Sequence, residues 1–149
     1  MRPRLTFLLL FAGATALGAA DGSFETTVPV PRRGDMHLGW THQGCSVKSV
    51  TLRNYPDRGD IEDARRKDPG DKSWVWWEFN VANKSARECR IFLSVEVFDR
   101  RGAVVKSSDR KGSVSAGETD DHIRVSTLMK TLDIADSPNV RLRARIAPK

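Results

Sequence analysis

The run from Ser73 to Phe98, SWVWWEFNVANKSARECRIFLSVEVF, constrains what this chain can fold into more than any other part of it. Val75, Trp77, Phe79 and Val81 share one parity, and Cys89, Ile91, Leu93, Val95 and Val97 share another in the second run. Side chains alternate across a strand, so each run has one apolar face that must pack on something. The pattern calls for a β-sheet with a core on one side. A third run near the end repeats it, with Val140, Leu142, Ala144 and Ile146 alternating with Arg141, Arg143 and Arg145.

The segments between these runs read as further strands and turns. Cys45 to Arg53 is rich in β-branched residues, and the parity of Val47 against Val50 and Leu52 implies a change of face through a bulge. From Asn54 to Lys72 the chain mixes charges of both signs with Pro56, Gly59, Pro69 and Gly70. It reads as a solvated excursion between two strands, with room for a turn or two of helix over Ile61 to Lys67. Asp99-Arg100-Arg101-Gly102 is a tight turn with Gly where a positive φ is needed. Val104 and Val105 open a strand that runs into polar Ser107 to Gly112, which suits short or edge pairing. After the turn at Ala116-Gly117-Glu118, Ile123 and Val125 point inward. Leu128, Met129 and Leu132 then stand at helical spacing and predict one short helix or 3₁₀ turn over 127–134, with Ser126 as N-cap.

About seven short strands separated by turn signals predict an all-β fold, an antiparallel β-sandwich of immunoglobulin-like or fibronectin-type-III-like architecture spanning residues 40–149. Residues 21–39, with Val-Pro-Val-Pro and Arg32-Arg33-Gly34, read as an extended N-terminal arm, loosely held or laid along a sheet edge.

Residues 1–20 carry a different signal. Arg2 and Arg4 precede an apolar run from Leu5 to Leu17, followed by Gly18, Ala19 and Ala20 and then Asp21. A basic start, a short apolar centre and small residues at a cleavage site make a secretory signal peptide. The run falls short of the roughly 20 apolar residues that span a bilayer, so stable membrane insertion after cleavage is not expected. The expected location is periplasmic or extracellular. Cleavage after Ala20 removes Arg2 and Arg4 and no acid, so the formal charge of +6 falls to +4. That is modest for a nucleic-acid binder. Cys45 and Cys89 are then the remaining cysteines, and an even count in an oxidising compartment predicts a disulfide. Their spacing is not the C-x-x-C of redox and zinc sites, and His37 and His42 beside Cys45 are weak evidence for a soft metal. No metal or other cofactor is implied.

Phe79-Asn80-Val81-Ala82-Asn83-Lys84-Ser85, Val95-Glu96-Val97-Phe98-Asp99-Arg100-Arg101-Gly102-Ala103-Val104-Val105 and Ser115-Ala116-Gly117-Glu118-Thr119 follow one another as strand, N-x-S turn, strand ending in aromatic-Asp, turn, and a later A-G-E turn. This order resembles the FxLYD-type immunoglobulin-like sandwiches of bacterial exported proteins. The resemblance implies an exported, non-enzymatic accessory or interaction domain, with no catalytic residues.

Candidate contacts follow from the outward parity. Trp74 and Trp76 stand opposite Val75 and Trp77, so two indoles belong to the outer face of a sheet, unless the long loop or the arm covers them. Exposed aromatics anchor protein interfaces or stack on sugars. Arg141, Arg143 and Arg145 form an outward basic stripe that either meets an anionic polymer or solubilises a strand. Weaker features are two RGD triplets at 33–35 and 58–60, the N-x-S site at Asn83, and an acidic loop of Asp57, Asp60, Glu62 and Asp63 with interleaved arginines. Asp120, Asp121, His122 and Ser126 lie close in sequence, but no nucleophile elbow, phosphate loop or H-E-x-x-H motif accompanies them. The expectation is therefore a non-catalytic domain that binds a protein partner of the envelope or extracellular space. The alternative is a carbohydrate or anionic-polymer module using the tryptophans and the arginine stripe.

Overall fold

A computed structural model describes residues 22–149, so residues 1–20, where the sequence predicts a signal peptide, lie outside the described residues. Eight strands and two helices follow in the order β1 (Ser23–Pro29), β2 (Asp35–His42), β3 (Cys45–Arg53), α1 (Arg58–Arg66), β4 (Lys72–Asn83), β5 (Cys89–Phe98), β6 (Val104–Val114), β7 (Asp121–Lys130), α2 (Thr131–Asp136) and β8 (Asn139–Pro148). The strands form two four-stranded antiparallel sheets, β1-β8-β5-β6 (sheet A) and β2-β3-β4-β7 (sheet B). Consecutive β4 and β5 lie in opposite sheets, as do β7 and β8, while β4 pairs with β7 and β5 with β8. That interlocking is the connectivity of an immunoglobulin-like sandwich.

The parities place the core. Val75, Trp77, Phe79 and Val81 of β4 face Ile91, Leu93, Val95 and Val97 of β5, with Val140, Leu142 and Ile146 of β8, and all of them are buried. Each such aliphatic or aromatic side chain stabilises the fold by about 1.5–3 kcal/mol. A one-residue slip of β4 would turn this whole set to solvent, so its register is firmly specified. The bulge expected in β3 is a register shift between Val47 and Ser49 opposite β4.

Closures at the two open sides and the two ends complete the sandwich. On one side Phe24 of β1 stacks on Trp40 of β2 with centroids 5.8 Å apart. On the other, β6 packs so closely on β7 that a Cβ at Gly112 would lie 2.5 Å from the Ile123 Cδ1. At one end the Cys45–Cys89 disulfide links β3 to β5 across the sheets, with Cα atoms 6.5 Å apart. At the other end α1 and α2 pack together, joined by an Arg65–Asp136 ion pair of 2.7 Å.

Three expectations change. Residues 22–39 of the expected arm are not separate from the sandwich: they hold β1 and most of β2, so the boundary at 39/40 falls inside a strand. Both strands lie at sheet edges, where Pro29 can end β1 at no cost to an inner ladder. The helix expected over 127–134 begins at Thr131, and Lys130 rather than Ser126 occupies its N-cap position. The inward parity of Ile123 and Val125 continues through Thr127 and Met129, so period 2 prevails there and β7 runs on. The charged excursion contains a nine-residue helix, α1, that starts at Arg58. A capping box between Asp57 and Asp60 starts it, and Arg58–Glu62 and Asp63–Lys67 pairs brace its surface.

Candidate functional site

The outer face of sheet B is built from the even positions of β4 and their cross-strand partners. Trp74 lies opposite Leu128 of β7, Trp76 between Arg53 of β3 and Ser126 of β7, and Glu78 between Thr51 and Arg124. Neither the helical end nor the N-terminal strands cover this face. Trp74 is 51% exposed, whereas Trp76 is half-buried beneath Arg124, whose guanidinium lies 5.0 Å from the ring centroid.

Glu78 organises the charges here. Arg53 reaches it at 3.3 Å and Arg124 at 3.2 Å. Partial burial pushes the Glu78 carboxyl up, but the hydrogen bonds from Arg124 and Arg53 outweigh it and hold the group below its ordinary value of 4.5. The ionic groups beside Trp76 are thus committed to one another. Beyond them Trp74 stands opposite Leu128, a large stiff surface with an apolar neighbour, and Lys72 opposite Lys130 follows it toward the start of β4.

The outer face of sheet A holds the arginine stripe, and the structure divides it. Arg141 reaches Glu96 at 3.1 Å and lies 4.9 Å from the Phe98 ring centroid. Arg143 reaches Glu25 at 2.6 Å and Glu96 at 3.4 Å. The hydrogen bond from Arg143 holds the Glu25 carboxyl below its ordinary value, and the same bond pushes Arg143 upward. Arg145 has no carboxylate partner among the described residues. It lies 5.7 Å from the ring centroid of Phe92, its cross-strand neighbour on β5. The sequence-predicted cations therefore share a strand face, but two of the three are already neutralised.

Phe92 was readable as a contact by the signal that picked out the tryptophans, since it has the outward parity between buried Ile91 and Leu93. It is 38% exposed. Leu128 stands at helical spacing to Leu132 in the sequence, which conceals its strand position on β7 opposite Trp74.

The weaker features resolve into structural roles. Asn83 is fully buried, with its Nδ2 donating to the carbonyls of Arg87 at 2.7 Å and Val114 at 3.0 Å, while its Oδ1 accepts from the Ser85 amide and hydroxyl. An amide so engaged is no glycan acceptor. The triplet at 58–60 forms the first turn of α1, and the Asp35 carboxylate of the other accepts a hydrogen bond from Thr51. Asp57 and Asp60 serve the capping box. Asn80 donates to Asp120 at 2.8 Å and meets His122 at 3.4 Å, while Ser126 lies opposite Trp76. No group of three or more His, Cys, Asp or Glu is placed to hold a metal ion among the described residues, and no helix among them is long and apolar enough to cross a membrane.

No protein-family model matches this chain, and no curated protein matches it. Among solved structures it is similar to a DUF1425 family member from Shewanella sp. pv-4, with 14% identity over 90% of this chain and 94% of that one, at a TM-score of 0.38. A structure of the infectious bursal disease virus Gx strain is similar at 10% identity and a TM-score of 0.37, covering 87% of this chain and 26% of that one.

Proposed function

We propose that this chain is an exported, non-catalytic β-sandwich module that binds another protein through the outer face of sheet B, with Trp74 as the central contact. The observation that carries this reading is the 51% exposure of Trp74 beside Leu128, on a face whose central charges, Arg53, Glu78 and Arg124, are paired among themselves. Covering an indole beside Leu128 removes a large apolar surface from water, with Lys72 and Lys130 at the edge of the contact. Trp76 contributes a smaller edge, because Arg124 lies over it. Export is supported by the basic start and apolar run of residues 1–20, and by a disulfide of the kind that oxidising compartments preserve. The order of strand ends and turns that resembles FxLYD-type domains supports an interaction role. Against a polyanion on the stripe stand the carboxylates that already occupy Arg141 and Arg143.

The test is a cross-linking pull-down of the tagged protein from its host, comparing wild type with Trp74→Ala and with Trp74→Ala combined with Trp76→Ala. The expected result is a protein captured by the wild type and lost by Trp74→Ala, with the unfolding midpoint unchanged. Capture should change little between low and physiological salt, because an apolar contact is not screened. Equal capture by the wild type and both variants would overturn the assignment of this face. A glycan in place of a protein would assign the indoles to sugar stacking.

A further inference from the structure

The end of sheet A around Phe92 differs from its middle. The register lays its outer side chains in rows that run from β1 through β8 and β5 to β6. One row is Thr27, Arg141, Glu96 and Ser107; the next is Glu25, Arg143, Ser94 and Asp109; the third is Ser23, Arg145, Phe92 and Lys111. In the first two rows acids and arginines meet as ion pairs. In the third row two cations flank an exposed aromatic ring, and neither has a carboxylate partner among the described residues. Lys111 lies 5.6 Å from the Phe92 centroid and Arg145 5.7 Å. Small Ser94 beside bulky Phe92 and Arg143 leaves a groove of about 500 Å³ along this part of the face.

We propose that this groove binds a small anionic amphiphile, a carboxylate on an acyl chain, with its head between Arg145 and Lys111 and its chain over Phe92 and Ser94. The charges argue for an anion. Two like charges held on one ring repel each other, and an anion between them relieves that repulsion while gaining two charge-assisted hydrogen bonds. Asp109 in the adjoining row repels the head and so fixes its end of the groove. The backbone argues for an acyl chain rather than a peptide. The strands beneath the groove are already hydrogen-bonded to one another from β1 to β6, so a peptide laid here would find no ladder partners. A hydrocarbon needs none. The volume falls within the range of small-molecule sites, which are largely apolar with a few placed polar groups. This site lies on the sheet opposite Trp74, so the two assignments stand or fall separately.

The experiment is calorimetric titration of the protein with octanoate, octanol, acetate and a tetraglutamate peptide, with amide chemical shifts recorded alongside. Octanoate should saturate one site and perturb amides of residues 91–94, 109–112 and 143–146. Octanol, which lacks the charge, and acetate, which lacks the chain, should each bind at least about tenfold more weakly, as should the peptide. Arg145→Gln combined with Lys111→Gln should weaken octanoate by about tenfold or more with an unchanged unfolding midpoint, and Trp74→Ala should leave it unaltered. Ser94→Leu fills the groove from an outward position and should weaken octanoate without removing a charge. The proposal is overturned if octanoate fails to bind, if octanol, acetate or the peptide binds as tightly, or if the charge variant binds octanoate as the wild type does.

Discussion

The two outer faces of this sandwich solve the same problem and leave different residues over. On sheet B one carboxylate, Glu78, sits between Arg53 and Arg124. On sheet A two carboxylates, Glu25 and Glu96, sit among Arg141 and Arg143. Each network neutralises the middle of its sheet and ends before the row is complete. What remains beyond it is Trp74, with Lys72 opposite Lys130 after it, on sheet B, and Arg145 with Lys111 around Phe92 on sheet A. A paired group on a strand surface is mostly architecture, whereas the unpaired group beside it has interaction energy still to give. By that criterion the bare indole suits the sheet B face to an apolar contact edged by two lysines, and the cations held on Phe92 suit the sheet A face to an anion.

The comparison supposes that both faces are carried by one framework, and the strongest perturbations test that. Replacing Cys45 and Cys89 with Ala removes a cross-link between residues 44 apart, and should lower stability by about 4 kcal/mol on the chain-entropy account. Denaturant unfolding measures the loss, and both binding activities should fall together at intermediate denaturant. Asn83→Ala comes next, at about 2–3 kcal/mol, because it strands the buried carbonyls of Arg87 and Val114 without a donor. A midpoint unchanged by this substitution would show that those carbonyls find other partners.

Smaller changes separate the faces. Glu78→Gln should cost about 1 kcal/mol or less, since its partners are half-exposed, and it should release Arg124 and Arg53 beside Trp76. The same group makes an acid-side prediction. The carboxyls of Glu25 and Glu78 are held below 4.5 in the fold, so their contribution is present above that value and is lost as pH falls through the lower folded values. Unfolding curves recorded from neutral pH into that acid range should therefore fall less steeply for Glu25→Gln combined with Glu78→Gln than for the wild type. Trp74→Ala should have the smallest effect on stability, within about 0.5 kcal/mol, while abolishing capture of the protein partner. A large loss of stability there would make Trp74 a packing residue and erase the difference between the faces.

The central strands were legible in the sequence because burial on one side enforces strict alternation. Every inward residue named from Val75 to Val97 is buried. The edges were harder. In β1 and β2 the apolar residues are sparse and Pro29 breaks the pattern, since an edge strand buries little and needs little. The junction of β7 and α2 misled for another reason. Leu128, Met129 and Leu132 fit a helix, but Thr127 and Met129 fill inward strand positions, and a polar Thr at one of them masked the alternation. Of the candidate sites, the outward parity of Trp74, Trp76 and the three arginines could be read directly. Which arginine meets a carboxylate could not, because Glu25 and Arg143 are 118 residues apart and only the register brings them together.

That last pairing has a consequence in time. Of the eight described strands β1 emerges first during synthesis, and its neighbour β8 emerges after the other seven. Because β8 fills the place between β1 and β5, sheet A cannot be assembled inward from either side until the final strand arrives. The early strands of sheet B can form a meander while the apolar residues of β1 and β5 wait for their shared partner. Loss of β8 would then leave β1 without a neighbour in its sheet rather than a slightly shortened domain, and until β8 is available sheet A stays incomplete and its unpaired strands susceptible to proteases.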